Sequence, residues 1–486
     1  MTLTHESYAA LSAGEIADSV RDGSLSATEV AEAAIARMEL TEPHLHAFCT
    51  PAPDLARKTA AAIDNARAAG EPLGPLAGVP VGIKDLVATK DLVTAMGSVI
   101  YRDFVPEDDD IVVERLKDAG AVILGKTNVP EFGYSGVGHN PVFETTRNPW
   151  NTELTPGGSS AGSGASVAAG VTPFAIGSDG GGSVRIPSAH CGLVGIKASM
   201  GRVPLWPGCR DERFPGVSSW ESLEHIGPMA RSVSDAALML SVISGPDMRD
   251  RHTIPNDVAW LDEAKAGQLP KLRIAFSEDF GYLAVDPEVR RVVREAVAVF
   301  ENDLGCEVEI ADPGWSDPGA DFWGLVLADS DLAGMRAWLP DHAHEMSPHL
   351  VNLLKGRHDD EALTNANMAR KKLCNIAAKF FGTYDLLLSP TLTVPPFALH
   401  MQGPEKTEGR MVDPAAWLGF CFPFNMTGQP AASVPAGLTK DGLPVGLQIV
   451  GRHLDDPMVL RAAAAYEAAR PWSGHRPALL DRLEAA

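Results

Sequence analysis

The chain has 486 residues, of which 45% are hydrophobic and 21% charged, enough apolar material to bury a large core. Its formal net charge of −22 repels polyanions, so nucleic acid or an anionic membrane is not an expected partner; the longest basic cluster, Arg370-Lys371-Lys372, reads as a solvated helix face. Six scattered cysteines (Cys49, Cys191, Cys209, Cys306, Cys374 and Cys421) form no CxxC pair, which argues against a zinc site or a disulfide framework and fits a reducing cytoplasm.

The start, Met1 to Glu6, lacks the basic and apolar segments of a signal peptide, and no run of 18 strongly apolar residues predicts a membrane span. The first 70 residues read as helices. Ser26 and Thr28 precede an apolar-periodic segment as a capped start, and Pro53 to Ala69 reads as a helix that Gly70 ends. Strand and helix signals then alternate: a strand over 79–86, a helix over 110–119, a strand over 121–124, a helix of small residues over 161–170, and a strand over 172–178. Further on come the strand 272–276, the helix 287–304, the strand 307–310, a helical stretch over 317–383, the strands 384–388 and 443–450, and the helix 457–469. This alternation predicts an α/β fold with a large mixed β-sheet surrounded by α-helices. The whole chain, 1–486, reads as one domain with a core over about 70–235 and a helical cap over about 317–383.

Two motifs match by letter and fail by mechanism. Gly120 to Thr127 has the P-loop spacing, but the helix precedes it and its variable positions form a buried-strand run. Gly158-Ser159-Ser160-Ala161-Gly162 has the nucleophile-elbow spacing, yet the segment before it, Thr152 to Pro156, is a poor strand. A Ser-His-Asp esterase with Ser160 as nucleophile and His190 or His225 as base therefore stands as a weak alternative.

A third constellation is stronger. Lys84 closes the apolar run Gly78 to Ile83; it is either a strand-end lysine paired with Asp85 or a buried amine whose neutral form serves as a base. Two glycine-rich turns each end in serine, Gly157-Gly158-Ser159 and Gly180-Gly181-Gly182-Ser183. Each is an ordinary turn or a means of bringing backbone N–H groups close to a small oxyanion. Asp179 and Arg185 flank the second turn and are expected to hold it rigid.

These residues resemble the amidase signature family of serine hydrolases. The resemblance runs through Gly78 to Asp85, Gly125 to Asn128, Arg147 to Trp150, Pro156 to Ser160, Ser178 to Pro187, Cys191 to Lys197, Gly227 to Arg231 and Phe424 to Ala431, and is weakest over 250–400. The spacing of 75 residues from Lys84 to Ser159 and 24 from Ser159 to Ser183 also resembles the family pattern. The resemblance implies an amide hydrolase in which Ser183 is the nucleophile, Ser159 bridges it to the base Lys84 across a cis Gly158–Ser159 peptide, and Ser160 supports them. It implies an oxyanion hole from the N–H groups of Gly180, Gly181, Gly182 and Ser183. Gly180 departs from the usual isoleucine or threonine, and Ala161 from a usual glycine. No cofactor and no metal is expected, and the substrate is a small-molecule amide. Phe132, Gly133, Trp323, Trp338, Phe420 and Phe422 are expected to form an apolar pocket for aryl amides, with esters or carbamates as further substrates. A glutaminase-type component of a tRNA-dependent amidotransferase is the main alternative, and a non-catalytic binding protein on the same fold is another. The oligomeric state stays open, a homodimer being one option.

Overall fold

Strands buried on both faces read as continuous apolar runs rather than alternating ones. In the computed structural model, which describes residues 3–207, 220–265, 267–356 and 359–484, such runs build the centre of one sheet. Met1, Thr2 and Cys209, used in the expectations above, lie outside the described residues. In chain order the strands are β1 (Phe48–Pro51), β2 (Pro80–Lys84), β3 (Val122–Thr127), β4 (Phe174–Ser178), β5 (Val194–Lys197), β6 (Ile226–Ala230), β7 (Arg273–Phe276), β8 (Glu307–Ile310) and β9 (Leu386–Pro390). They continue with β10 (Lys406–Thr407), β11 (Arg410–Met411), β12 (Ala431–Leu438) and β13 (Pro444–Gly451). Strands β10 and β11 form a small ribbon, and the other eleven form a mixed sheet in the order β1-β3-β2-β4-β6-β5-β12-β13-β9-β7-β8.

The sheet is parallel at β3-β2-β4 and at β9-β7-β8 and antiparallel between these two ends. Every residue of β2, β3, β4, β5, β6, β9 and β13 is buried, as a sheet covered by helices on both faces requires. The helix Ala27–Leu45 starts at the expected place: the Ser26 side chain accepts from the Glu29 N–H while the Glu29 carboxylate accepts from the Ser26 N–H. The small-residue helix Ala161–Ala168 is buried along its whole length and packs on β2, β3, β4 and β6.

The structure differs from the sequence reading in several places. Strand β2 ends at Lys84 rather than 86, so the lysine is its last residue. Strands β1, β5, β6 and β12 are unread in the sequence. They are short, or carry glycine and proline: Pro228 sits inside β6 opposite Ile176, and β12 shifts register between Pro435 and Gly437. Such residues erase the alternation that marks a strand. Within Gly120 to Thr127, Val122–Thr127 is strand and no α-helix starts at Lys126-Thr127; Lys126 is buried, with its Nζ donating to Val87 O, Thr89 Oγ1 and Thr94 Oγ1. Of the basic cluster, Lys371 and Lys372 are exposed on the helix Asp360–Phe380, while Arg370 is half-buried and donates to Ser222 Oγ. The stretch between 319 and 380 is a series of helices, from Gly319–Ala328 to Asp360–Phe380. Among the described residues, Cys49, Cys191, Cys306, Cys374 and Cys421 are free thiols, no cluster of acids, histidines and cysteines could hold a metal ion, and no helix is long and apolar enough to cross a membrane.

Candidate active site

Parallel strands β2 and β4 lie side by side, with Ile83 opposite Ile176, so both run out at the same edge of the sheet. In open α/β sheets that carboxyl edge is where ligands bind. Lys84 and Ser178 are the terminal residues of the two strands, and both are buried. The Lys84 Nζ donates to Ser159 Oγ at 2.7 Å, to Ser178 Oγ at 2.8 Å and to Ser178 O at 3.0 Å. The Gly158–Ser159 peptide is cis, and Ser159 leads into the helix Ala161–Ala168. Ser160 binds these parts together: its N–H donates to Ser183 O at 3.3 Å, and its hydroxyl accepts from the Ser178 N–H at 3.2 Å.

The glycine turn joins β4 to the helix Arg185–Cys191, and Ser183 sits at its end, 8% exposed. Asp179 organises the turn. Its carboxylate takes a bidentate pair from Arg185, with Nε to Oδ2 and Nη2 to Oδ1 both at 2.9 Å, and it also accepts from Asn425 Nδ2 at 2.8 Å. Burial pushes this carboxyl up, but the Arg185 guanidinium and the hydrogen bonds outweigh it and hold Asp179 well below the usual carboxylate range. The other side of Arg185 donates to Cys421 O at 2.9 Å, Gln448 Oε1 at 2.7 Å and Asn425 Oδ1 at 2.7 Å.

One expectation is corrected here. The Gly182 N–H donates to Asp179 Oδ1 at 2.8 Å, so it braces the turn instead of facing a reacting oxygen. Gly182 adopts φ 125°, a conformation that suits glycine. Among the described residues, the N–H groups of Gly180, Gly181 and Ser183 form no hydrogen bond and remain as donors.

A cavity of about 440 Å³ opens over Ser183, Gly181 and Gly133. Gly133 and Trp323 lie on its lining, and at Gly133 a side-chain carbon would start 3.4 Å from Ser159 Oγ. The other four expected pocket residues are not on this lining. Phe132 stacks on Trp338 with ring centres 5.4 Å apart, Phe420 is fully buried edge-on to Phe280 at 4.8 Å, and Phe422 stacks at 4.9 Å on Phe322. Their place on the lining is taken by Tyr134, Trp220, Phe322 and Leu418. Sequence alone could mark these segments as aromatic but not say which ring faces inward, because that depends on chain segments hundreds of residues apart.

The two histidines proposed as alternative bases point elsewhere. His190 stacks flat on Trp417 at 5.5 Å with Nε2 against Val394 O, and His225 directs Nδ1 at Leu223 O and Nε2 at Lys197. Ser160, the elbow nucleophile, is fully buried with its hydroxyl engaged by Ser178. Burial pushes His190 down to about 4, partly offset by the Val394 carbonyl. His190 is thus neutral in the fold but takes a proton in the unfolded chain below about 6.5. The stability it contributes is complete above pH 6.5 and drains away as pH falls toward 4, by an amount on the order of 3 kcal/mol. Thermal melts between pH 7 and 4 check this: His190→Phe, which preserves the ring stack, should fall less steeply with acid than the parent.

Sequence reasoning missed Ser178 as an anchor of Lys84, and missed Asn425 and Gln448 as braces of the Asp179–Arg185 pair. Ser178 and Asn425 each lay within a motif that carried the resemblance, whereas Gln448 had no signal beyond its neighbours.

The family model for amidases matches residues 29–460. The chain belongs to the amidase signature family and is an amidase, a hydrolase of amide C–N bonds. It is 39% identical over 493 residues to an acylamidase of Rhodococcus erythropolis, covering 98% of this chain and 99% of that one. It is 33% identical over 484 residues to a glutamyl-tRNA(Gln) amidotransferase subunit of Geobacter metallireducens, covering 94% and 97%. Among solved structures it superposes on a bacterial aryl acylamidase of the amidase signature family with a TM-score of 0.89 and 31% identity, covering 98% of this chain and 99% of that one.

Proposed function

We propose that the protein hydrolyses apolar, aryl-bearing amides through Ser183, Ser159 and Lys84. The observation that carries this reading is the 2.7 Å contact between the Lys84 Nζ and Ser159, with Ser183 on the lining of an apolar cavity. In this mechanism Lys84 removes the proton of Ser159 as Ser159 removes that of Ser183, and the Ser183 oxygen attacks the amide carbon. The N–H groups of Gly180, Gly181 and Ser183 receive the oxyanion. The proton returns along the same path to the leaving nitrogen, the C–N bond breaks, and an ester on Ser183 remains. Water, deprotonated by the same relay, then releases the acid and restores Ser183. Asp179 and Arg185 hold the turn in place throughout.

Substrate class follows from the wall. Trp220, Phe322, Trp323 and Leu418 favour an aromatic or aliphatic group beside the scissile bond, and a charged substrate would lose its hydration there. The protein acts alone on a small molecule, in a reducing compartment such as the cytoplasm, with no need of tRNA or ATP. Steady-state kinetics on the purified chain decide this. A nitroanilide should exceed glutamine in kcat/KM by roughly tenfold or more, the range set by burying a hydrophobic group. Equal or better turnover of glutamine, or activity only after a second protein is added, would favour the amidotransferase reading, which the amidotransferase relatives keep in view.

A further inference from the structure

An aromatic ring occupies the space that Gly181 leaves open. A side-chain carbon at Gly181 would stand 2.6 Å from Cζ of Phe322, so the end of that ring rests on the glycine turn. Phe322 also lines the cavity of about 440 Å³ together with Gly181 and Ser183. The ring is fixed in this position. It is buried, stacks on Phe422 with centres 4.9 Å apart and meets Trp323 edge-on at 5.6 Å. Its helix, Gly319–Ala328, lies close against the helix Asp360–Phe380: a side-chain carbon at Gly324 would stand 2.7 Å from Cβ of Ala366. A ring packed in this way is a rigid wall rather than a movable flap.

Resting on the Ser183–Ser159–Lys84 reading, we propose that Phe322 is a specificity-determining residue: its ring, held against Gly181, limits the size of the acyl half of the substrate. The direction of the substrate follows from the relay. Ser159 returns the proton to the leaving nitrogen, so the amine half faces Ser159. On that side the wall is open, because Gly133 carries no side chain 3.4 Å from Ser159 Oγ. The carbonyl oxygen points at the free N–H groups of the turn, that of Gly181 among them. The acyl group takes the direction that remains, beside the turn, and meets Phe322 there. A short acyl chain fits in front of the ring, whereas a longer one has to displace a side chain stacked between its neighbours. The larger group of the substrate is thereby directed to the amine half.

The test compares kcat/KM of the full-length parent and its variants on two series: nitroanilides of acetic, butyric and hexanoic acid, and acetanilides with para-alkyl groups of rising length. In Phe322→Ala the hexanoyl-to-acetyl ratio should rise by roughly tenfold or more, the range for admitting added methylenes to a hydrophobic pocket. Phe322→Leu should raise it by a smaller factor, and the ratio along the para-alkyl series should stay that of the parent. A ring that served only to pack the domain would change every substrate by the same factor. An unchanged acyl ratio, or a shift along the para-alkyl series as large as that along the acyl series, overturns the proposal. Phe322→Leu keeps most of the buried volume and decides the matter even if Phe322→Ala does not fold. Failure of a fluorophosphonate to label the parent at Ser183 overturns the triad reading and this inference with it, whereas labelling with an unshifted acyl ratio overturns this inference alone.

Discussion

Ser183→Ala should remove all measurable amide turnover while leaving the melting temperature within a few degrees of the parent. Only a hydroxyl at the face of a cavity is lost, and the turn is braced by Asp179 rather than by Ser183. Lys84→Ala should cost roughly two to four orders of magnitude in kcat, the range for loss of a general base. It should also lower stability, since Ser159 and Ser178 lose a buried partner. The discriminating comparison is with histidine. His190→Ala and His225→Ala should keep most activity in whatever fraction stays folded. A dead His225 variant that melts normally, beside a live Lys84 variant, would refute the serine–lysine relay. A slow ester substrate followed by intact-protein mass spectrometry should give an acyl adduct on Ser183; an adduct on Ser160 would point to the elbow arrangement instead.

The largest stability effect is expected at the ion pair below the turn. Arg185 and Asp179 are both fully buried, and their hydrogen-bonding capacity is met by each other, Asn425, Gln448 and backbone groups. Removing one partner strands the other charge in a dry interior. Arg185→Ala or Asp179→Ala should therefore destabilise the protein by roughly 3–5 kcal/mol, as for other broken buried pairs. Denaturant midpoints measure this. Activity should fall further than folding does, because the Gly182 amide loses its acceptor and the proposed oxyanion donors beside it lose their fixed direction. An Arg185→Ala protein with parental midpoint and turnover would show the pair to be incidental.

The fold class was legible in the sequence, and the candidate residues could be picked out in it, but the pocket wall could not. Lys84, Ser159 and Ser183 stand out because they sit in short glycine-rich or apolar contexts, where local spacing alone constrains what the backbone can do. The edges of β2, β4 and β13 were readable to within two residues, since buried apolar runs admit few alternatives, and those of β8 through its alternation of Glu and branched residues. Strand β6 was not, because Gly227 and Pro228 contradict a strand locally and only pairing with β4 and β5 supports it. The pocket wall failed most. Phe420 and Phe422 are two residues apart, yet the first is enclosed by Phe280 and the second backs Phe322, an outcome set by residues about 100 to 140 positions earlier. The misassigned Gly182 amide has a subtler cause. The acceptor Asp179 was visible three residues away, but the direction of a peptide N–H follows from the intervening φ and ψ angles, which a triple glycine leaves open.

The reach of Arg185 bears on when the enzyme comes into being during synthesis. Its partners Cys421, Asn425 and Gln448 follow it by 236, 240 and 263 residues. A nascent chain that has delivered Lys84, Ser159 and Ser183 from the ribosome has every group of the proposed relay and none of these counterparts. Contacts so distant along the chain form late, because the loop between them must first be closed. The guanidinium cannot be sequestered until the last strand of the sheet's middle has been translated, so the Asp179 turn stays unset until then. Hydrolytic competence thus arrives with the final tenth of the polypeptide, and a prematurely terminated product is a chain of intact reagents without a reactor.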